Sequence, residues 1–145
     1  MTYSERLEIG YRFFDAHNVT PAYAFGHGLS YTSFHYSGCA AEQSKVTFSL
    51  SNVGSVAGAE VAQLYLAFPA HAGEPPKVLR GFKKVHLDPA ATAVVTFPLT
   101  RRDLSVWSTE HHDWAPVAGT FQALVGASSR DIRLSCELGV PSAQP

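Results

Sequence analysis

Four polar residues in a row, Glu110, His111, His112 and Asp113, form the densest group of metal-capable side chains in this sequence. Zinc and similar ions need His, Cys or carboxylate ligands that converge from spaced positions. Adjacent histidines in an extended chain point to opposite sides, so this run suits a solvated polar loop better than a chelate. Serines, histidines and aspartates are present for a hydrolytic triad, but no Gly-x-Ser-x-Gly elbow presents a nucleophile. Gly26-His27-Gly28 is not followed by the Lys-Ser/Thr that a phosphate-cradling loop requires. No metal ion or other cofactor is expected.

Two aromatic residues have the chemistry for sugars, whose apolar C–H faces stack on flat rings. Trp107 lies beside Leu104 and Val106 and reads as a core residue. Trp114, next to Asp113 and between turns, reads as the better surface candidate. Asn18-Val19-Thr20 fits the N-glycosylation acceptor pattern of a eukaryotic secretory route, with Pro21 lowering its efficiency. Cys39 and Cys136 are too few for a disulfide framework and fit no zinc spacing. Lying near the two ends of the compact region, they admit either a bridge or two buried free thiols.

These residues are carried by short strands. Lys45 to Leu50 alternates, with Val46, Phe48 and Leu50 on one face. Asn52 to Ser55, with Gly58, makes a turn. Glu60 to Phe68 is apolar on both faces, as a central strand is. A proline-rich loop over Pro69 to Lys77 leads to Val78–Leu87, where Gly81 suggests a bulge. Ala93–Leu99 carries Pro98, which argues for an edge or an exit. Thr100 with Asp103 suits the cap of a single helical turn. Gly119–Gly126 and Ile132–Leu138, joined by the turn-like Ser128 to Asp131, complete the set. About seven strands at intervals near ten residues predict an all-β sandwich of immunoglobulin type.

The first 33 residues differ. They hold Tyr3, Tyr11, Phe13, Phe14, Tyr23, Phe25 and Tyr31, with one strand-like run from Ile9 to Phe14. Aromatics at this density need a surface to pack against, either the sandwich itself or a partner domain.

Composition narrows the partners. The chain has 145 residues, 46% hydrophobic and only 16% charged, enough for one domain with a proper core. A net charge of −1 gives no broad electrostatic footprint for nucleic acid or acidic lipid. Lys83-Lys84 and Arg101-Arg102 are local pairs that suit a solvated strand edge or helical turn. No apolar run approaches the roughly 20 residues of a membrane span. No signal peptide opens the chain, so an export signal is expected to lie outside it.

Several stretches together resemble a known family. Ile9 to Asp15, reading Gly-Tyr-Arg-Phe-Phe-Asp, is followed by Pro21 to Thr32, which holds Phe-Gly-His-Gly-Leu-Ser-Tyr-Thr. Gly58 to Tyr65, Leu79 to Val85, Arg102 to Trp107 and Val125 to Ile132 continue the match in order. From about Tyr3 to Leu138 the chain resembles the C-terminal part of family 3 glycoside hydrolases of the β-glucosidase group. Glu5-Arg6-Leu7 departs from the Glu-Gly pattern common in the family, within the linker only.

The resemblance implies a fibronectin type III-like sandwich over residues 34–140, an aromatic-rich connecting segment over 1–33, and a disordered tail over 141–145. In the family the nucleophilic Asp and the acid/base Glu belong to two other domains. Retaining hydrolysis needs two carboxyl groups about 5–5.5 Å apart. No motif here matches either, so no catalytic residue is carried over, and His112-Asp113-Trp114 is only superficially like the family's Ser-Asp-Trp nucleophile motif. The implied role is non-catalytic: to support the catalytic domains of a secreted parent enzyme, with the seven aromatics of the connecting segment as docking residues. An alternative is a stand-alone module that holds plant cell-wall polysaccharide or lignin through Trp114 and Trp107. A protein–protein adhesion module is a weaker third, since no exposed Arg-Gly-Asp loop or similar signal supports it.

Overall fold

Alternation of apolar and polar residues governs the architecture of the chain, whose computed structural model describes residues 3–141. The tail expected over 141–145 lies, from 142 on, outside the described residues. Among these residues nine strands form: β1 (Phe34–Glu42), β2 (Lys45–Asn52), β3 (Gly58–Ala67), β4 (Val78–Leu87), β5 (Thr92–Pro98), β6 (Ser105–Ser108), β7 (Asp113–Pro116), β8 (Gly119–Ser128) and β9 (Asp131–Val140). One sheet has the order β1-β2-β5, a second β4-β3-β8-β9, and β6 and β7 pair as a separate hairpin. Every pairing is antiparallel.

The core lies between the two larger sheets. β2 contributes Val46, Phe48 and Leu50, and facing them stand Ala62, Leu64 and Leu66 of β3 with Phe121, Ala123 and Val125 of β8. Each large side chain among them contributes about 1.5–3 kcal/mol through burial. Tyr36, Phe48 and Phe97 stack through the middle, with successive centroids 5.6 and 6.0 Å apart. This is the seven-stranded all-β sandwich that the strand spacing predicts. Pro98 ends the outer strand β5, where its missing N–H leaves no gap in the ladder's interior. The bulge expected near Gly81 is present: Leu64 pairs with Gly81 and Tyr65 with Leu79, leaving Arg80 as the extra residue. The single helical turn Arg101–Leu104 carries the capping box of Thr100 and Asp103.

One expectation needs correction. Ile9 to Phe14 is not a strand: the chain turns at Gly10 (φ 61°) and forms the short helix α1 (Tyr11–Ala16). Helical spacing puts Tyr11 and Asp15 on one side, where the Tyr11 hydroxyl and the Asp15 carboxylate find partners on the sandwich while Arg130 caps the Phe14 carbonyl, and those contacts override a six-residue apolar pattern. Of the two states that the sequence admits for Cys39 and Cys136, the disulfide is the one formed, because the sandwich brings edge strand β1 alongside edge strand β9 across 97 residues of sequence. The polar run around His111 is solvated, as expected, and forms the turn of the β6–β7 hairpin.

Candidate functional site

Within the connecting residues 3–33, the stretch from Tyr11 to Gly26 is fastened to the outer side of the four-stranded sheet and its loops, and the fastening begins with a buried amide. Gln63 points out of the core from β3 yet is only 3% exposed, and its neighbour Tyr65 is fully buried. The Gln63 Nε2 donates to the carbonyls of Gly26 (3.0 Å) and Ala127 (2.8 Å), and its Oε1 accepts from the Tyr65 hydroxyl at 2.6 Å. Burial pushes the Tyr65 phenol well above its ordinary pKa, so it remains a donor. Gly26 has φ 79° and lies so close to the Gln63 side chain that a Cβ there would collide with it. The glycine of Gly26-His27-Gly28 therefore serves close approach of chain to sheet.

Charge and aromatic contacts complete the fastening. Asp15, its side chain 4% exposed, meets Lys77 at 2.6 Å and Arg130 at 2.8 Å. Arg130 also donates to the carbonyls of Phe14 and Val19, both at 3.0 Å. The Tyr11 hydroxyl accepts from the backbone N–H of Leu79 (2.8 Å), and its ring stacks on Phe25 at 4.5 Å and meets Tyr65 edge-on at 6.0 Å. Further along, the Thr32 hydroxyl donates to Oδ1 of buried Asn52 (2.6 Å), whose Nδ2 donates to the carbonyls of Val56 and Leu87.

The seven aromatics of this segment thus divide. Tyr11 and Phe14 are half-buried against the sandwich, whereas Tyr3, Phe13, Tyr23, Phe25 and Tyr31 are exposed. Leu29 and Tyr31 are almost wholly exposed, and Phe82 of β4 is 71% exposed. Between the segment and β3–β4 lies an open cavity of about 650 Å³, bordered by Phe25, Leu29, Val61 and Phe82 on its apolar side and by Glu60 and Arg133 on its polar side. Burial raises the Glu60 carboxyl above the usual carboxylate range, with Arg133 opposing. Asp131 is lowered instead, by hydrogen bonds from Arg133 at 2.8 and 3.1 Å. The surface can receive an apolar, partly polar partner. Sequence reasoning missed Gln63, Asn52, Asp15 and Phe82; only Gln63 carried a signal, a polar residue on the outer face of an otherwise apolar strand.

The two tryptophans lie elsewhere, on the β6–β7 hairpin, and their expected exposures are reversed. Val106 turns toward the core, so alternation sends Trp107 outward, and it is 51% exposed. Trp114 is half-buried: Trp107 meets it edge-on at 5.7 Å, and the Arg102 guanidinium lies 4.5 Å from its ring centre. His111 and His112 are exposed on the hairpin turn, where Ser108 Oγ and His111 Nδ1 are 3.1 Å apart. Among the described residues, no group of three His, Cys, Asp or Glu side chains is placed to hold a metal ion. No helix there is long and apolar enough to cross a membrane.

Residues 60–129 match the model of the fibronectin type III-like domain family. The chain is 42% identical to a probable β-glucosidase D of Aspergillus flavus, over 92% of this chain and 21% of that protein. To a probable β-glucosidase L of Emericella nidulans it is 44% identical, over 92% of this chain and 21% of the relative. Among solved structures, it superposes on the β-D-glucoside glucohydrolase of Trichoderma reesei with a TM-score of 0.91 and 44% identity, over 97% of this chain and 23% of that one. A family 3 glycoside hydrolase (GH3) β-glucosidase of Bifidobacterium adolescentis gives 0.89 and 34%, over 99% of this chain and 23% of that one. The chain thus spans about a fifth of the length of the curated relatives it matches.

Proposed function

We propose, for a chain that belongs to the C-terminal-type fibronectin III-like domains of family 3 β-glucosidases, a non-catalytic role in which the aromatic face of the connecting segment docks onto the catalytic domains of a parent enzyme. The carrying observation is the contrast within that segment. Its backbone is pinned to the sandwich through Gln63, Asp15 and Arg130, while Tyr23, Leu29 and Tyr31 stand in water. A pinned backbone that presents exposed apolar side chains has met its ordering cost in advance, the condition that favours tight docking. The parent's chemistry is β-glucoside hydrolysis, performed by carboxyl groups of its other domains, and its place is extracellular. The disulfide supports that location, since such bonds persist in oxidising compartments.

The test separates the polypeptide into two. Co-expressed with the remainder of a family 3 β-glucosidase lacking this domain, the chain is expected to co-purify with it and raise the thermal stability of its hydrolytic activity. L29D with Y31D should abolish co-purification while leaving the melting temperature of the isolated chain unchanged. Retention of the complex by that double variant would remove the docking reading.

The exposed Trp107 favours a second reading, a module that holds plant cell-wall polysaccharide or lignin. In a pull-down on cellulose, xylan, chitin and lignin, with serum albumin as the control for stickiness, this reading expects selective retention on one material. W107A should lose it more than W114A, whose ring is already covered by Arg102. Equal retention on every material, or none, would count against it.

A further inference from the structure

Asn18-Val19-Thr20 is a motif the docking role does not use, and the fold places it where a modification can be borne. Helix α1 ends at Ala16, and Asn18 follows with φ 52°, a left-handed conformation that asparagine tolerates. Asn18 and Thr20 are both exposed. The backbone around them is held: Val19 N–H donates to the Phe14 carbonyl at 2.9 Å, and the Val19 carbonyl accepts from Arg130 at 3.0 Å. The only other asparagine, Asn52, is buried, has its amide occupied, and is followed by Val53-Gly54, which no acceptor pattern allows. The Cys39–Cys136 disulfide belongs to the same oxidising route in which such acceptors are used.

We propose that Asn18 is an N-glycan attachment site, occupied when the chain passes through a eukaryotic secretory pathway. In the transfer, a bond forms between Asn18 Nδ2 and the anomeric carbon of the first N-acetylglucosamine of a lipid-diphosphate-linked oligosaccharide. The bond from that carbon to the phosphate oxygen breaks, and the lipid diphosphate leaves with the electron pair. One amide proton passes to a base of the transferring enzyme, and nothing is oxidised or reduced. Pro21 keeps occupancy below completion. The glycan stands next to exposed Val19 in the chain and withdraws that side chain from docking, which leaves Tyr23, Leu29 and Tyr31 as the working part of the face. The inference rests on the extracellular reading of the parent.

The experiment secretes the whole chain from a yeast behind a heterologous leader and reads it by gel and by peptide mass. Two bands are expected, which an amidase specific for N-glycans collapses into one, converting Asn18 to Asp in the peptide that contains it. N18Q and T20A should each show the lower band alone, and P21A should enrich the upper band several-fold. A secreted wild type carrying the disulfide but wholly unmodified at Asn18 would overturn the site and leave the extracellular reading standing. Free thiols at Cys39 and Cys136 in the secreted protein would count against that reading itself. A glycan shift that persists in both N18Q and T20A would also overturn the assignment, and the wild-type peptide mass decides the matter if either variant fails to be secreted.

Discussion

Glu60 and Asp131 stand at one rim of the cavity beside the same Arg133, and their carboxyl groups are displaced in opposite directions. Burial favours the neutral form of Glu60. Its folded pKa exceeds the unfolded one, so the stability it contributes is full below the unfolded pKa and is lost as pH rises through the folded value. E60Q is neutral at every pH. It should therefore melt with wild type in acid and above it at neutral pH, a divergence that a series of thermal melts would read. Asp131 obeys the reverse sign: its hydrogen bonds with Arg133 stabilise the fold above the ordinary carboxylate range and fade as pH falls through the lowered value. D131N should accordingly cost stability at neutral pH and nothing in strong acid. Identical pH profiles for E60Q and wild type would show that Glu60 is well solvated.

At the scale of elements, the short helix and the coil after it have no stability of their own. Six residues are far below what an isolated helix needs. They are ordered by side chains that reach the sandwich, so the loss of one anchor should loosen the segment without unfolding the sheets. D15A leaves Lys77 and Arg130 facing each other without their shared acid. Since Arg130 is a third exposed, the cost is about 1–3 kcal/mol, below the range of a fully buried pair. Limited trypsin digestion should then cut after Arg12 faster than in wild type. Gln63→Leu acts at the other end of the segment, where it strips partners from two carbonyls and the Tyr65 hydroxyl. A loss of about 2–4 kcal/mol in urea unfolding is expected. Protease resistance unchanged in D15A would mean that aromatic packing alone holds the helix.

For the whole molecule, the disulfide is the largest single constraint. It closes 97 residues of sequence and ties the edge of one sheet to the edge of the other, so the sandwich cannot open on that side. Loop-closure entropy for about 100 residues is worth about 4.7 kcal/mol in the chain-entropy model. The double variant C39S with C136S should lose about 2–5 kcal/mol and shift the urea midpoint as reduction with dithiothreitol does. A midpoint insensitive to reductant would mean the thiols are not bridged in solution.

The sandwich was legible in the sequence because its signal is local. Val46-x-Phe48-x-Leu50 alternates with the period of a strand whatever lies elsewhere in the chain, and Thr100 with Asp103 caps its own turn. The ordered motifs from Ile9 to Ile132 likewise carried the family, since they need no coordinates to be recognised. Tertiary structure alone decided what depends on distant segments meeting. Tyr11 to Ala16 became a helix because Leu79, Lys77 and Arg130 were there to receive it. Trp107 and Trp114 exchanged their expected exposures because a short hairpin turned one ring out and Arg102 covered the other. Cys39 met Cys136 because two sheet edges coincide. Local periodicity is written in neighbouring residues, but which surfaces come together is settled by the packing of the whole chain.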